Sequence, residues 1–291
     1  MERFLSCGYA VIDIIDNKEY FGGAAAGVAI NGKRLGMEAG LCALFGFDSK
    51  SKEYWEMLIG EGVDMALSIK KPQVRLPVNN ISHYDRTTGW NDYGISAYFS
   101  DISLDRTQIQ KYGLVHLANA HPELIHKVIE HINSVCCRIS YCPGPKTVLD
   151  PNYYLSLDIL QASDFLFLNE EEWMITRQHF NLLSPEDLIA LGPDIAAITL
   201  GPKGSDIIYR DGVDVVCRHI PVPEAQGETT GAGDAFALGF LIGNQYGLQP
   251  PQAAELGTSL AILALQRNGV VIDGSYLNKF KEGRLKYIFD N

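Results

Sequence analysis

The chain has 291 residues, of which 46% are hydrophobic and 20% are charged, a composition typical of a globular protein that buries a core without disulfides or metals. Its 24 basic and 35 acidic residues give a net charge of −11, which opposes binding to nucleic-acid phosphates and anionic lipids, so we expect neither a nucleic-acid nor a membrane partner. Six cysteines without a CxxC pair, and an N-terminus without a signal peptide, predict reduced cysteines in a cytoplasmic protein.

The first part of the chain alternates between strand and helix patterns. The apolar run FLSCGYAVIDII predicts one buried strand that ends near Asp13. Small residues then lead into an Ala-rich helix that stops at Gly36, a second buried strand follows in LCALF, and SKEYWEMLIGEG predicts another helix. Alternation of this kind predicts a parallel sheet with helices on both faces.

Residues 74–99 interrupt this alternation. The segment is polar and aromatic, with short alternating stretches and turn signals, and it predicts antiparallel strands outside the main sheet. We interpret it as a lid over a ligand site. Because the interval from Asp13 to Gly22 is short, we expect a reduced lid that relies on this segment. The alternatives are a small separate core or the contact of a homodimer. The aromatic residues concerned are His83, Tyr84, Trp90, Tyr93 and Tyr98.

The alternation resumes after residue 100. Strands are predicted in LVHLA, RISYC, DFLFLN and IAAITLG, a helix in PELIHKVIEHINS, and a β-hairpin in SDIIYRDGVDVV that turns at Asp211-Gly212. Two helices follow in GAGDAFALGFLIGNQY and PQAAELGTSLAILALQ. Because neither a repeat nor a linker interrupts the chain, we predict one domain over residues 1–291, with 74–99 as an excursion from it.

The segment 228–234 (ETTGAGD) carries the strongest chemical signal, because it runs directly into an apolar helix. Gly231 and Gly233 leave backbone N–H groups open where the helix begins, and the helix dipole adds positive potential there, so the segment suits an anion. Asp234 in the first turn can accept the proton of a hydroxyl group. Phosphoryl transfer to an alcohol requires both features. From composition alone, an ordinary glycine-containing loop before an acidic first turn is the alternative.

This segment resembles the C-terminal signature of the ribokinase-like PfkB family of carbohydrate kinases, [D/N]-T-x-G-A-G-D before an apolar helix. The resemblance implies a ribokinase-like three-layer α/β/α sandwich with a mostly parallel sheet and a small β lid. It also implies that Asp234 is the catalytic base and that Gly231, Ala232 and Gly233 form an anion hole. Glu228 replaces the Asp that some relatives use at a monovalent-cation site, and its extra methylene puts that cation in doubt.

Matches near the N-terminus imply a site for the phosphoryl acceptor. Gly8 and Asp13 match the family's opening G-x-x-x-x-D, whose Asp binds substrate hydroxyls, and a strand-end carboxylate lies where doubly wound folds bind ligands. Gly22 and Gly23 match the glycine pair of the signature G-G-x-x-x-N-x-A. Gly27 occupies its Asn position and cannot make the side-chain contact of that Asn. On residue type alone, Asp13 fits a solvent-facing acid equally well.

Further matches imply a site for ATP and its Mg²⁺. Asn169 and Glu172 match an N-x-x-E motif that acts on Mg²⁺ largely through water, although an Asn cap before an acidic first turn explains the same residues. The run TLGPKG resembles a nucleotide-lining T-x-G-x-x-G turn, with a plain strand-ending turn as the alternative. The implied nucleotide-site residues are Asn169, Glu172, Thr199, Gly201, Gly204 and, near the adenine, Thr258.

We therefore predict an enzyme that transfers the γ-phosphoryl group of Mg·ATP to a hydroxyl, by preference a primary one, of a small sugar or sugar derivative. The lid aromatics keep a nucleoside acceptor open, and Arg75 and Arg86 keep a sugar phosphate open. A different class is a catalytically inactive sugar-binding protein on the same fold, supported only by Gly27 and Glu228 and opposed by Asp234. The chain contains neither a P-loop nor a G-x-G-x-x-G motif that would supply another nucleotide site.

Overall fold

The computed structural model describes residues 2–82, 87–132, 137–145, 150–223, 227, 229–266, 269–280 and 282. The strands are β1 (Phe4–Gly8), β2 (Val11–Ile15), β3 (Lys18–Gly22), β4 (Ala39–Cys42), β5 (Leu44–Phe45), β6 (Ile69–Lys70), β7 (Val78–Ser82), β8 (Thr87–Asn91), β9 (Leu114–Ala118), β10 (Arg138–Cys142), β11 (Phe165–Asn169), β12 (Ile195–Thr199), β13 (Ser205–Asp211) and β14 (Asp214–Ile220). The α-helices are α1 (Ala24–Arg34), α2 (Ser49–Gly60), α3 (Arg106–Ile109), α4 (Pro122–Ile132), α5 (Pro151–Tyr154), α6 (Leu157–Ala162), α7 (Glu170–Phe180), α8 (Ala232–Gln245), α9 (Pro250–Leu265) and α10 (Gly274–Phe280). No helix within these ranges is both long and apolar enough to cross a lipid bilayer.

The main sheet has eight strands in the order β14-β13-β12-β11-β10-β9-β1-β4. The strands from β12 to β4 run parallel, and β13 and β14 form an antiparallel hairpin at the other edge. The predicted mostly parallel sheet is therefore confirmed, and the hairpin turns at Gly212 in a left-handed conformation (φ 66°). Since parallel strands need crossover connections, the helices between them cover both faces.

Two hydrophobic cores lie on opposite faces of this sheet. Successive residues of β1, such as Phe4 and Leu5, point to different cores, as do Phe165 and Leu166 in β11. Helices α1, α8 and α9 cover the face to which Phe4 points, here called the first face. Helices α4, α6 and α7 cover the second face, to which Leu5 points. The central strands are buried on both sides, which explains why they appear in the sequence as nearly continuous apolar runs.

A second sheet has four strands in the order β3-β2-β7-β8, and it corrects two predictions. The run FLSCGYAVIDII is not one strand, because the chain turns at Gly8 (φ 154°), where an added Cβ would lie 2.3 Å from the Ala118 carbonyl oxygen. β1 therefore belongs to the main sheet and β2 to this small sheet. An apolar pattern alone carries no information about a change of sheet.

The small sheet is not built from residues 74–99 alone. β2 and β3 supply half of the small sheet. The short interval holds a complete hairpin because its turn has only two residues, Asp16 and Asn17, both in the left-handed conformation (φ 49° and 62°). Within the described part of 74–99, β7 and β8 are the strands, and Ile95–Asp101 forms a 3₁₀ helix. His83, Tyr84 and Arg86 lie outside the described residues.

A row of polar residues crosses the first face of the main sheet beneath its helices. Ser6, His116 and Ser140 lie side by side in the register of β1, β9 and β10, and all three are fully buried. His116 Nδ1 pairs with Ser140 Oγ at 2.9 Å. Burial lowers the pKa of His116 to about 3, so the imidazole stays neutral in the folded protein.

Because His116 is neutral in the folded protein, we expect it to lower the free energy of unfolding in acid. Its pKa is about 3 in the folded chain and about 6.5 in the unfolded chain, so the unfolded state takes up the proton first as the pH falls. Its contribution to stability is complete above pH 6.5 and is lost below it at about 1.4 kcal/mol per pH unit. Denaturant unfolding of wild type and His116→Gln from pH 7 to pH 4.5 should therefore show a steeper loss in wild type. Parallel curves would contradict the assignment.

Candidate active site

A cleft of about 330 Å³ opens at the carboxyl ends of the parallel strands, between the main sheet, the small sheet and the start of α8. Residues at or just after five strand ends line it: Tyr9, Asn119, Cys142, Asn169 and Thr199. Parallel strands bring their carboxyl ends to one edge, and this edge is where open α/β sheets bind ligands. Most of the residues predicted for a site therefore come together here.

The start of α8 presents backbone donors to the cleft. Gly231 precedes the helix in a left-handed conformation (φ 78°), the Ala232 N–H donates to the Thr229 carbonyl at 3.1 Å, and the Ala235 N–H donates to the Gly231 carbonyl at 2.9 Å. The N–H groups of Gly233 and Asp234 between them have no helical acceptor. Ala232, predicted as part of the anion hole, thus already uses its N–H within the turn.

Gly233 has no packing reason to be glycine. An added Cβ would meet no protein atom within 4 Å, and the residue lines the cleft. The space that a side chain would occupy is therefore open to a ligand. An anion there would face unpaired N–H groups and the positive end of the helix dipole.

Asp234 lies half-buried in the first turn of α8 and also lines the cleft. Burial raises its pKa to about 6, and the negative charge of Asp13 adds to the shift. A carboxylate of raised pKa is a stronger proton acceptor than an ordinary Asp, and most of it remains ionised near neutral pH. These are the properties that a general base requires.

Asp13 occupies the opposite side of the cleft, on β2, and is only 3% exposed. Asn79, its register partner on β7, donates from Nδ2 to Asp13 Oδ1 at 3.3 Å. A Cβ on Gly22 would lie 1.8 Å from Asp13 Oδ2, so this glycine makes room for the carboxylate and is not among the described residues that line the cleft. Gly23 does line it, with φ 95°, immediately before α1.

Sequence reasoning missed Asn119, which follows β9 in a left-handed conformation (φ 48°). Its N–H donates to the Cys142 carbonyl at 2.9 Å. Its Oδ1 is buried and has no hydrogen-bond partner among the described residues. Because the residue lines the cleft, this oxygen is an acceptor available to a ligand. The sequence signal was an Asn at the carboxyl end of a buried strand, where Asn169 also lies.

Two aromatic rings lie on the side of the cleft formed by the small sheet, together with Asp13. Trp90 of β8 lines the cleft with 41% of its surface exposed, and its ring packs edge-on against Tyr9, with centroids 5.6 Å apart. Tyr9 lies where the chain passes from the main sheet to the small sheet, and its hydroxyl pairs with Ser96 Oγ at 3.2 Å. Trp90 therefore offers a flat apolar surface on which a ring can stack.

Asn169 and Glu172 form a capping box at the start of α7. Asn169 Oδ1 accepts the Glu172 N–H at 2.8 Å, and Glu172 Oε2 accepts the Asn169 N–H at 2.9 Å. Both residues also line the cleft, so the capping alternative holds without removing them from the site. Burial raises the pKa of Glu172 to about 7, with further contributions from Asp234 and Glu171.

These two residues fit a magnesium ion that arrives with a nucleotide. No cluster of three or more His, Cys, Asp or Glu side chains within the described ranges could hold a metal by itself. Mg²⁺ usually keeps several waters and takes only one or two protein carboxylates together with substrate phosphates. A nearby divalent cation would favour the ionised form of Glu172.

Apart from Thr199, the remaining predicted residues lie outside the described cleft lining or beyond what the structure describes. Thr199 lines the cleft, and its hydroxyl donates to the Leu168 carbonyl at 3.3 Å. A Cβ on Gly204 (φ 102°) would lie 2.2 Å from the Ile220 carbonyl oxygen, so this glycine serves the turn itself.

Contacts of Gly201 and Thr258 with a nucleotide stay predictions, as does a cation site at Glu228, which is not among the described residues. Gly27 packs against Val270, 2.7 Å from an added Cβ to Cγ2.

Comparisons with known proteins show which family this chain resembles. The family model for pfkB family carbohydrate kinases matches residues 8–275. A nucleoside kinase of Methanothermobacter thermautotrophicus is 31% identical over 233 residues, which cover 76% of this chain and 70% of that protein. The fructoselysine 6-kinase of Escherichia coli is 27% identical over 283 residues, 92% of this chain and 99% of that protein.

Solved structures show the same fold. The nucleoside kinase of Methanocaldococcus jannaschii, described as an archaeal member of the ribokinase family, superposes with a TM-score of 0.82 at 22% identity and covers 97% of this chain and 98% of its own. A putative ribokinase II of Escherichia coli in complex with ATP and Mg²⁺ also reaches 0.82, at 18% identity, and covers 97% of this chain and 99% of its own. A family model that spans most of the chain and a relative that is 31% identical over 76% of it lead to one conclusion. This chain belongs to the PfkB family of carbohydrate kinases.

Proposed function

We propose that this kinase transfers the γ-phosphoryl group of ATP to a hydroxyl, by preference a primary one, of a small unphosphorylated sugar or sugar derivative. The observation that carries the proposal is the first turn of α8. It combines a carboxylate of raised pKa at Asp234 with an open backbone donor at Gly233. Phosphoryl transfer to an alcohol needs a proton acceptor beside a group that stabilises phosphate charge.

The proposed reaction uses residues on both sides of the cleft. Asp13 and Asn119 bind acceptor hydroxyls and direct one of them toward Asp234. Asp234 takes the proton as the acceptor oxygen bonds to the γ-phosphorus and the bond from phosphorus to the β–γ bridging oxygen breaks, which releases ADP. The Gly233 N–H stabilises charge on the transferring group. Magnesium carried by ATP would neutralise phosphate charge, with Asn169 and Glu172 holding it through water.

The charge of the cleft favours an unphosphorylated acceptor. Among the described residues that line it, the charged ones are Asp13, Glu172 and Asp234, and none is Lys, Arg or His. A phosphate on the acceptor would add two negative charges to this acidic cleft without a cationic partner. Arg75 is not among the described lining residues, and Arg86 lies beyond them. A sugar phosphate is therefore the less suitable acceptor.

A nucleoside is the second candidate acceptor, and Trp90 is the observation that favours it. Its exposed ring lies on the acceptor side of the cleft, and base–aromatic stacking is a common means of binding nucleosides. Relatives of this chain are named both nucleoside kinase and fructoselysine 6-kinase. The same ring could stack on the C–H face of a sugar, so acceptor assays must separate the two candidates.

Two accompanying proposals complete this function. The small sheet acts as a lid over the acceptor, with the contact of a homodimer as its alternative role, and the enzyme works in the cytoplasm. The raised pKa of Asp234 favours a working base over the alternative of an inactive sugar-binding protein. A screen for ATP consumption over free sugars, sugar amines, nucleosides and sugar phosphates tests the function directly, and it fails if no acceptor stimulates consumption.

Replacing the base gives the first activity prediction. Asp234→Asn keeps the shape of the side chain and removes its proton affinity, so kcat should fall by roughly 10²–10⁴-fold while ATP binding stays near wild type. Asp158→Asn makes the same change in the first turn of α6, at an exposed position, and should leave kcat unchanged. Steady-state kinetics and calorimetry measure both. An Asp234→Asn enzyme within a few-fold of wild type would rule out the mechanism.

A second prediction concerns pH. Because the pKa of Asp234 is raised to about 6, the base is protonated below that pH, and kcat/KM for the acceptor should fall on the acid side. Asp13 contributes to the raised pKa, so Asp13→Asn should move this acid limb to lower pH, even though weaker acceptor binding lowers the whole curve. Identical limbs in the two enzymes would assign the titration to another group.

A third prediction separates the acceptor candidates. Trp90→Ala should raise the acceptor KM by roughly 10–100-fold, since stacking is worth about 1–3 kcal/mol, and leave the ATP KM unchanged. Trp90→Phe should recover most of the loss. Phe47→Ala removes another exposed ring away from the cleft lining and should change neither constant. If nucleosides with different bases are all inert while free sugars react, the nucleoside candidate is wrong.

A further inference from the structure

Residues 270–272 lie between the two halves of the proposed active site. Val270 lines the cleft, is nearly buried and packs on glycines of both halves. A Cβ on Gly27 in α1 would lie 2.7 Å from Val270 Cγ2, and a Cβ on Gly231 before α8 would lie 3.1 Å from Val270 Cγ1. The valine side chain therefore fits between the acceptor-side helix and the turn that starts the phosphate-binding helix.

Asn31 holds this segment from one turn further along α1. Its Nδ2 donates to the Val270 carbonyl at 2.8 Å, and its Oδ1 accepts the Ile272 N–H at 2.8 Å. The side chain is only 3% exposed, so both hydrogen bonds are shielded from water and strongly orienting. Asn31 thus pairs with the segment on both sides of residue 271, as a neighbouring strand would.

Arg34 adds a third connection from the same face of the helix. It donates from Nη1 to the Ile272 carbonyl, and its guanidinium is held by Glu61 in a two-pronged ion pair. Gly27, Asn31 and Arg34 are spaced four and three residues apart, so they lie along one stripe of α1. This stripe contacts the 270–272 segment along its length.

We propose that residues 270–272 are a strut that transmits the position of α1 to the start of α8, with Asn31 and Val270 as positioning residues for the phosphoryl-transfer site. The N-terminal end of α1, at Gly23, faces the acceptor side of the cleft. Val270 itself contacts Gly231, whose carbonyl accepts the first hydrogen bond of α8. The proposal rests on the proposed kinase function only for its catalytic readout.

Two glycines of α1 provide a matched test. Gly27→Ala inserts a methyl group against Val270 and pushes it toward Gly231, whereas Gly32→Ala inserts one where the nearest atom would be 3.6 Å away. Both substitutions bring the same gain in helix propensity. Kinetic constants and thermal unfolding should be measured for both, together with Val270→Ala, which loosens the strut without a clash.

We expect kcat of Gly27→Ala and of Val270→Ala to fall by roughly 10–100-fold with the ATP KM unchanged, since small displacements of reacting groups cost rate more than binding. Gly32→Ala should match wild type. The strut is wrong if Gly27→Ala and Val270→Ala both keep the wild-type kcat. If Gly27→Ala does not fold, Val270→Ala decides alone.

Hydrogen exchange distinguishes failure of the strut from failure of the proposed function. The Ala235 N–H, which donates to the Gly231 carbonyl, should exchange faster in Gly27→Ala and Val270→Ala than in wild type and Gly32→Ala. This readout needs no substrate. Unchanged exchange would overturn the strut even in an active enzyme. An inactive wild type with the expected exchange differences would overturn the kinase assignment and keep the strut.

Discussion

The burial of three carboxylates in one small cleft is the constraint on which the proposed site depends. Asp13, Glu172 and Asp234 line a cleft of about 330 Å³. Burial is the main cause that raises the pKa of Asp234 and of Glu172, the charge of Asp13 adds to the shift of Asp234, and the charge of Asp234 adds to that of Glu172. The chain as a whole also carries a net charge of −11. None of the described residues that line the cleft is cationic, so at this part of the site positive potential for a phosphate comes from backbone N–H groups and the helix dipole at α8, and from a cation that accompanies the nucleotide.

The same constraint organises the acceptor side. An acidic cleft favours a neutral, hydroxyl-rich molecule, because carboxylate and amide oxygens accept hydrogen bonds from hydroxyl groups and do not need a charged ligand. Asp13 keeps its place because Gly22 leaves room for its carboxylate and Asn79 donates to it. In the proposed reaction, substrate recognition and catalysis use carboxylates in different environments. One is held by a neighbouring strand, and the other sits at a helix start.

Close backbone approach recurs wherever two parts of the site meet. Gly8 lets the chain pass from the main sheet to the small sheet beside the Ala118 carbonyl, and Gly27 lets α1 approach Val270. Gly233 is different, since protein packing leaves its side-chain space open. Glycines of the first kind bring elements together, and the glycine at α8 makes space for a ligand.

The sequence by itself determined the sheet type, most of its strands and helices, and the segment that carries the chemistry. Periodicity and turn residues are local properties, and ETTGAGD combines its donors and its acid within seven residues. It did not reveal the change of sheet after Gly8, the hairpin of β2 and β3, or the contributions of Asn79 and Asn119. Only the tertiary structure decided these, because each depends on contacts between residues distant in the chain. Asp13 meets Asn79 across a strand pair, and the raised pKa of Asp234 arises from burial and from a carboxylate more than two hundred positions away.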